Sequence, residues 1–133
     1  MPRHVLIVDA DAGAAQATRA RIERLLPGTT IAVEASPEAG WLSVQRHPPD
    51  VLVIDPSPRC LDAMLLIQLL KEAQPTSRVI VLASQPTPSL RCALQRIGVD
   101  AHLDKGAALP VLLDHLHAAL HGALSSDLQP RAS

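Results

Sequence analysis

Aromatic side chains are almost absent from this chain: among 133 residues there is one tryptophan, no tyrosine and no phenylalanine. That excludes a single-strand nucleic-acid platform, which stacks bases on aromatic faces. Charge of one sign is lacking as well. Twelve Lys and Arg stand against thirteen Asp and Glu, for a net charge of −1. With no basic run, there is no footprint for direct contact with nucleic acid or an anionic membrane. The two cysteines, Cys60 and Cys92, have neither metal-ligand spacing nor the density of a disulfide scaffold. They are expected to be reduced, part-buried residues of a cytosolic protein. No apolar run approaches the ~20 residues of a membrane helix, and Met1, Pro2 and Arg3 lead straight into a strand without a signal peptide. A soluble, cytoplasmic protein with no membrane partner is the expectation.

What is present is aliphatic. Leu, Val, Ile and Ala carry most of a 47% apolar share in a chain long enough to bury one core. Val51 to Ile54 is a short unbroken apolar run ending on Asp55 and a Pro-Ser-Pro turn, the pattern of a strand buried on both faces. His4 to Val8 ends in the same way on Asp9, with Asp11 two residues later. Between them, residues 12–26 predict a helix with Ala15, Thr18, Ile22 and Leu25 on one stripe, stopped by Pro27-Gly28. Thr30 to Glu34 predicts a second strand. Ser36-Pro37-Glu38 starts a second helix that runs past Trp41 to about Arg46.

Leu61 to Ala73 predicts a third helix and Arg78 to Leu82 a fourth strand. Ser89 to Ile97 follows as a short helix with Gly98 at its C-cap. Ala101 to Leu103 is a brief fifth strand. Leu109, Leu112, Leu113, Leu116 and Leu120 mark a last helix ending near Gly122. Five alternations of strand and helix predict an α/β protein: a doubly wound, five-stranded parallel sheet with helices on both faces. Residues 3–122 form the domain, and residues 123–133 read as a polar tail or the start of a linker. Carboxylates delivered by separate strands to the carboxyl edge stand where ligands of open α/β sheets gather.

In these marks, namely Asp9 after the first strand, Asp55 after the third, Leu61-Asp62-Ala63 in the following turn, Gly98, and Lys105 after the fifth strand, the chain resembles the receiver domain of two-component response regulators. The resemblance covers residues 3 to about 122. It implies a flavodoxin-like (βα)5 fold with strand order 2-1-3-4-5. It also implies that Asp55 accepts a phosphoryl group from a histidine kinase or phosphotransfer protein. Asp9 and Asp55 would hold Mg²⁺, and Lys105 would meet the phosphoryl oxygens. The chain would be a phosphoacceptor module rather than an enzyme, its own chemistry limited to phosphorylation and dephosphorylation at Asp55. Residues 89–121, with Arg91, Arg96 and His102, would face an output domain or partner protein.

Departures from the family pattern are specific. Ala10 stands where a second acid is usual, with Asp11 either a metal neighbour or the N-cap of the first helix. Ala83 stands where a Ser or Thr hydroxyl is usual, and Ser84, one residue late, is either a loop residue or a secondary phosphate ligand. His102 replaces an aromatic switch residue, Gly106 a proline, and Arg59 another proline. These changes support an alternative, a pseudo-receiver that binds its partner independently of phosphate. A nucleotide or flavin enzyme on the same sheet is disfavoured, because DADAGAA carries a single glycine and no phosphate loop. Oligomeric state, a homodimer included, is left open.

Overall fold

The computed structural model describes residues 3–84, 87–105 and 109–120. Strands β1 (His4–Val8), β2 (Thr30–Glu34), β3 (Val51–Ile54), β4 (Arg78–Ala83) and β5 (Ala101–Asp104) alternate with helices α1 (Ala12–Leu25), α2 (Pro37–Arg46), α3 (Cys60–Ala73), α4 (Pro88–Arg96) and α5 (Leu109–Leu120). All strand pairs are parallel, in the order β2-β1-β3-β4-β5. Strand order reverses at β1, so the crevice between the ends of β1 and β3 is the switch point at which such sheets bind ligands. The expected elements are all present, with boundaries within a residue or so.

Side-chain alternation divides the core in two. Leu6, Val8, Leu52, Ile54, Val79, Val81 and Ala83 pack with Val44, Ala63, Leu66, Ile67, Leu70 and Leu94 of α2, α3 and α4. Val5, Ile7, Val51, Val53, Ile80 and Leu82 pack with Ala15, Ile22, Leu112 and Leu116 of α1 and α5. Even-numbered and odd-numbered residues of β1 and β3 thus face opposite layers, as the two-residue strand period requires. The three central strands read as continuous apolar runs because both faces are covered.

Three expectations need correction. Leu25 does not complete the α1 stripe: it is exposed, and Leu26, one step on and four from Ile22, packs against the core instead. Helical periodicity admits either position, and the helix ends there. Cys92 is exposed rather than part-buried, while Cys60 is intermediate; both are free thiols. Strand β5 runs one residue further than expected, to Asp104. Gly28 and Gly98 do end their helices at positive φ, 88° and 86°. The 123–133 tail, Gly106 and His121 lie outside the described residues. Among the described residues, no helix is long and apolar enough to cross a membrane.

Helix α2 lies close on the sheet because Gly40 has no side chain. A Cβ there would stand 2.9 Å from Val8 Cγ2 and 3.1 Å from Leu66 Cδ2. Val8 is buried and β-branched and cannot yield. Gly40→Ala is therefore expected to destabilise the fold by about 1–3 kcal/mol through overpacking, reversing the ~1 kcal/mol that alanine ordinarily adds to a helix. A lowered midpoint of urea unfolding at unchanged slope checks this.

Candidate functional site

Each main residue of the site is one step beyond a strand and still held by its ladder. Asp9 N–H donates to Glu34 O at 3.0 Å, Asp55 N–H to Val8 O at 2.9 Å, and Lys105 N–H to Ala83 O at 3.0 Å. All three carry the odd parity of Ile7, Val53 and Leu103, so alternation turns their side chains toward the same layer, the one beneath α1 and α5. They meet there. Lys105 Nζ donates to Asp9 Oδ2 and to Asp55 Oδ2, both at 2.7 Å.

The remaining carboxylate oxygens are also engaged. Asp9 Oδ1 accepts the Asp11 N–H and Asp55 Oδ1 accepts the Ser57 N–H, each at 2.9 Å. The side chains of Asp9, Asp55 and Lys105 are only 8%, 11% and 18% exposed. Burial alone would pull the lysine down. Hydrogen bonds from Asp55 and Asp9, with their charges, outweigh it and hold the ammonium above its ordinary value. The cluster bears a net charge of −1 from two carboxylates and one ammonium.

The secondary candidates resolve differently. Asp11 Oδ1 accepts the Ala14 N–H at 3.0 Å and caps α1, so that carboxylate oxygen is committed to the helix. Ala10 is exposed and brings no donor. Ala83 is the buried last residue of β4 and packs with the α2–α4 layer. Ser84 lies past the strand in an exposed bend, so a methyl, not a hydroxyl, fills the last covered position. His102 is half-buried, with Nε2 lacking a hydrogen-bond partner. Burial, then the charge of Arg91, lower its pKa below the ordinary imidazole value. His115 and His117 of α5 are exposed.

A feature not anticipated from sequence lies beside Asp55. Arg59 Nη1 donates to Glu38 Oε1 at 3.1 Å, and Nη2 binds both Glu38 Oε2 and Asp62 Oδ2. Arg59 also lines a small recess with Asp55, Ala10, Ser57 and Pro37. The i, i+3 spacing of Arg59 and Asp62 was readable in the sequence; the reach to Glu38, on another helix, was not.

For a metal, the donors are oxygen only and suit a hard cation. Two carboxylates plus water are an ordinary set for Mg²⁺. Among the described residues no group of three or more His, Cys, Asp or Glu could hold a metal. Asp9 and Asp55 are the two carboxylates that could contribute oxygens to such a cation, and Ala10 adds none.

No family model matches the sequence, and no curated protein matches it. Solved structures do. A response regulator receiver domain protein (CheY-like) from Methanospirillum hungatei JF-1 superposes with a TM-score of 0.82 at 17% identity, covering 92% of this chain and 96% of that one. The signal receiver domain of a DNA binding response regulator from Colwellia psychrerythraea 34H gives 0.82 at 18% identity, covering 90% and 98%. The Francisella response regulator 1452 receiver domain gives 0.78 at 21%, covering 91% and 98%. At these identities the likeness establishes the fold: the chain has the receiver-domain architecture.

Lys105→Met leaves two adjacent, nearly buried carboxylates without their cation. It is expected to cost about 2 kcal/mol at pH 7. Because the folded pKa of Lys105 is raised, the stability it adds is complete below its ordinary value of 10.5 and is lost as pH climbs through the higher folded value. Chemical unfolding between neutral and strongly alkaline pH should show that loss in the wild type and not in Lys105→Met.

Proposed function

We propose that this chain is a two-component receiver whose Asp55 accepts a phosphoryl group from a histidine kinase or phosphotransfer protein. The observation that carries this is the bridge from one lysine to two strand-end carboxylates at 2.7 Å each. Phosphoryl transfer asks a protein chiefly for positioning and neutralisation of charge. A carboxylate oxygen of Asp55 forms the new P–O bond as the donor's P–N bond breaks. Lys105 then moves its ammonium from the carboxylate onto the phosphoryl oxygens. Asp9 and Asp55 would hold Mg²⁺, which when bound supplies further neutralisation of those oxygens. The signal leaves through residues 89–121 to an output domain or partner, the exposed Arg91 and Arg96 lying on that stretch.

One observation favours a second reading. With Ala10 at the mouth of the site and the buried Ala83 at the end of β4, two usual contributors to the switch are methyl groups. A phosphorylation-independent interaction module is the form that reading takes.

Intact-mass spectrometry after treatment with phosphoramidate and Mg²⁺ separates the two. The wild type is expected to gain one phosphoryl group, Asp55→Ala none, and Ala10→Asp to gain it faster, with Mg²⁺ bound on the order of tenfold tighter, about 1.4 kcal/mol. Labelling confined to Ala10→Asp, with partner binding intact in Asp55→Ala, would establish the phosphate-independent module instead.

A further inference from the structure

Exposed apolar surface among the described residues is concentrated away from the α4–β5–α5 face. Leu61 and Leu65 of α3 are 79% and 53% exposed, and Leu42 of neighbouring α2 is 57% exposed. Leu61, Leu65 and Leu69 recur every four residues and so share one stripe of α3. Beside that stripe a groove of about 140 Å³ runs between α2 and α3, walled by Trp41, Leu65, Leu66 and Leu69 and edged by Glu38 and Asp62. From Leu61 to Leu69 the stripe is about 12 Å long at 1.5 Å per residue, enough for two to three turns of a docked helix.

Charge selects the occupant. Glu38 and Asp62 share the single cation Arg59, leaving that edge at −1. Glu72, seven residues beyond Leu65, adds a further exposed acid on the same face. Lys71 is turned away, bound to Ser77 O and Asp100. A second copy of this chain would present the same net-negative face, and two such faces set against each other repel. We infer that the α2–α3 groove docks an amphipathic partner helix with an apolar stripe flanked by Lys or Arg. The inference goes beyond the receiver reading and does not require it, since the groove is formed without any modification of Asp55.

Trp41 is the sole tryptophan and sits in the groove wall, so its emission reports occupancy directly. The probe is a synthetic helical peptide of about 18 residues, roughly five turns, with a leucine stripe flanked by lysines. A glutamate-flanked version serves as its control. Expected is a saturable blue shift with the lysine peptide alone, weakened by salt. Affinity should fall at least tenfold in Leu65→Glu and in Glu38→Lys, and hold in Val111→Asp on α5, all with unchanged circular dichroism. No saturable shift, equal binding of both peptides, or full binding by Leu65→Glu would overturn the inference. Sedimentation showing a dimer that Leu65→Glu dissolves would overturn it in favour of a second copy.

Discussion

One ammonium held between two carboxylates is the constraint on which the upper edge of this sheet depends. Two adjacent parallel strands each end in an aspartate, and their register places Asp9 directly beside Asp55. Left alone, the pair would repel in a place where burial makes repulsion expensive. Lys105 resolves this from two strands away. It can do so because Asp9, Asp55 and Lys105 share strand parity and because each backbone is tied into the ladder. A shift of any one of these strands by a single residue would turn its side chain to the other layer and undo the arrangement.

The contrast with the opposite edge shows that the upper acids are not simply strand-end caps. Asp50 Oδ2 accepts the His4 N–H at 2.8 Å, and Asp100 Oδ2 accepts the Val79 N–H at 2.7 Å. Those aspartates satisfy amides at the beginnings of β1 and β4, and their structural role accounts for them. Asp9 and Asp55 also accept one backbone amide each, but their other oxygens converge on a single cation. That convergence joins the ends of three strands through one side chain, which neither lower aspartate does. Ala10 and Ala83 show the other side of the matter: positions that could have enriched the site with oxygen donors carry methyl groups, one exposed and one packed into the core.

Much of this was legible in the chain because it follows from short-range rules. Unbroken β-branched runs marked β1, β3 and β4. The Ser36-Pro37-Glu38 start of α2 and the Gly98 end of α4 follow from capping chemistry. Asp9, Asp55 and Lys105 were readable from their places at strand ends together with the family resemblance. Most of the failures have their origin in tertiary packing, and one in a local choice between two uses of the same carboxylate. Leu25 and Leu26 compete for one inward position at a helix end, and local periodicity cannot choose between them. Asp11 stood equally for metal neighbour and helix cap until its Oδ1 was found on the Ala14 N–H. The Arg59 cluster escaped because Glu38 belongs to a helix 21 residues earlier, and only the α2–α3 packing brings it close.

That cluster and the Lys105 cluster have the same composition, one cation shared by two carboxylates, and opposite physical settings. The Lys105 group is sheltered by the sheet edge, so each hydrogen bond there is little screened and removing one member strands a buried charge. The Arg59 group is about half exposed, where water and salt screen ion pairs and their net worth is small. Its members are therefore the ones that can exchange partners at low cost. Arg59 borders the recess beside Asp55, while Glu38 and Asp62 border the α2–α3 groove. The sheltered cluster fixes the geometry of Asp55, and the exposed one is the adaptable charge between Asp55 and the apolar surface of α2 and α3.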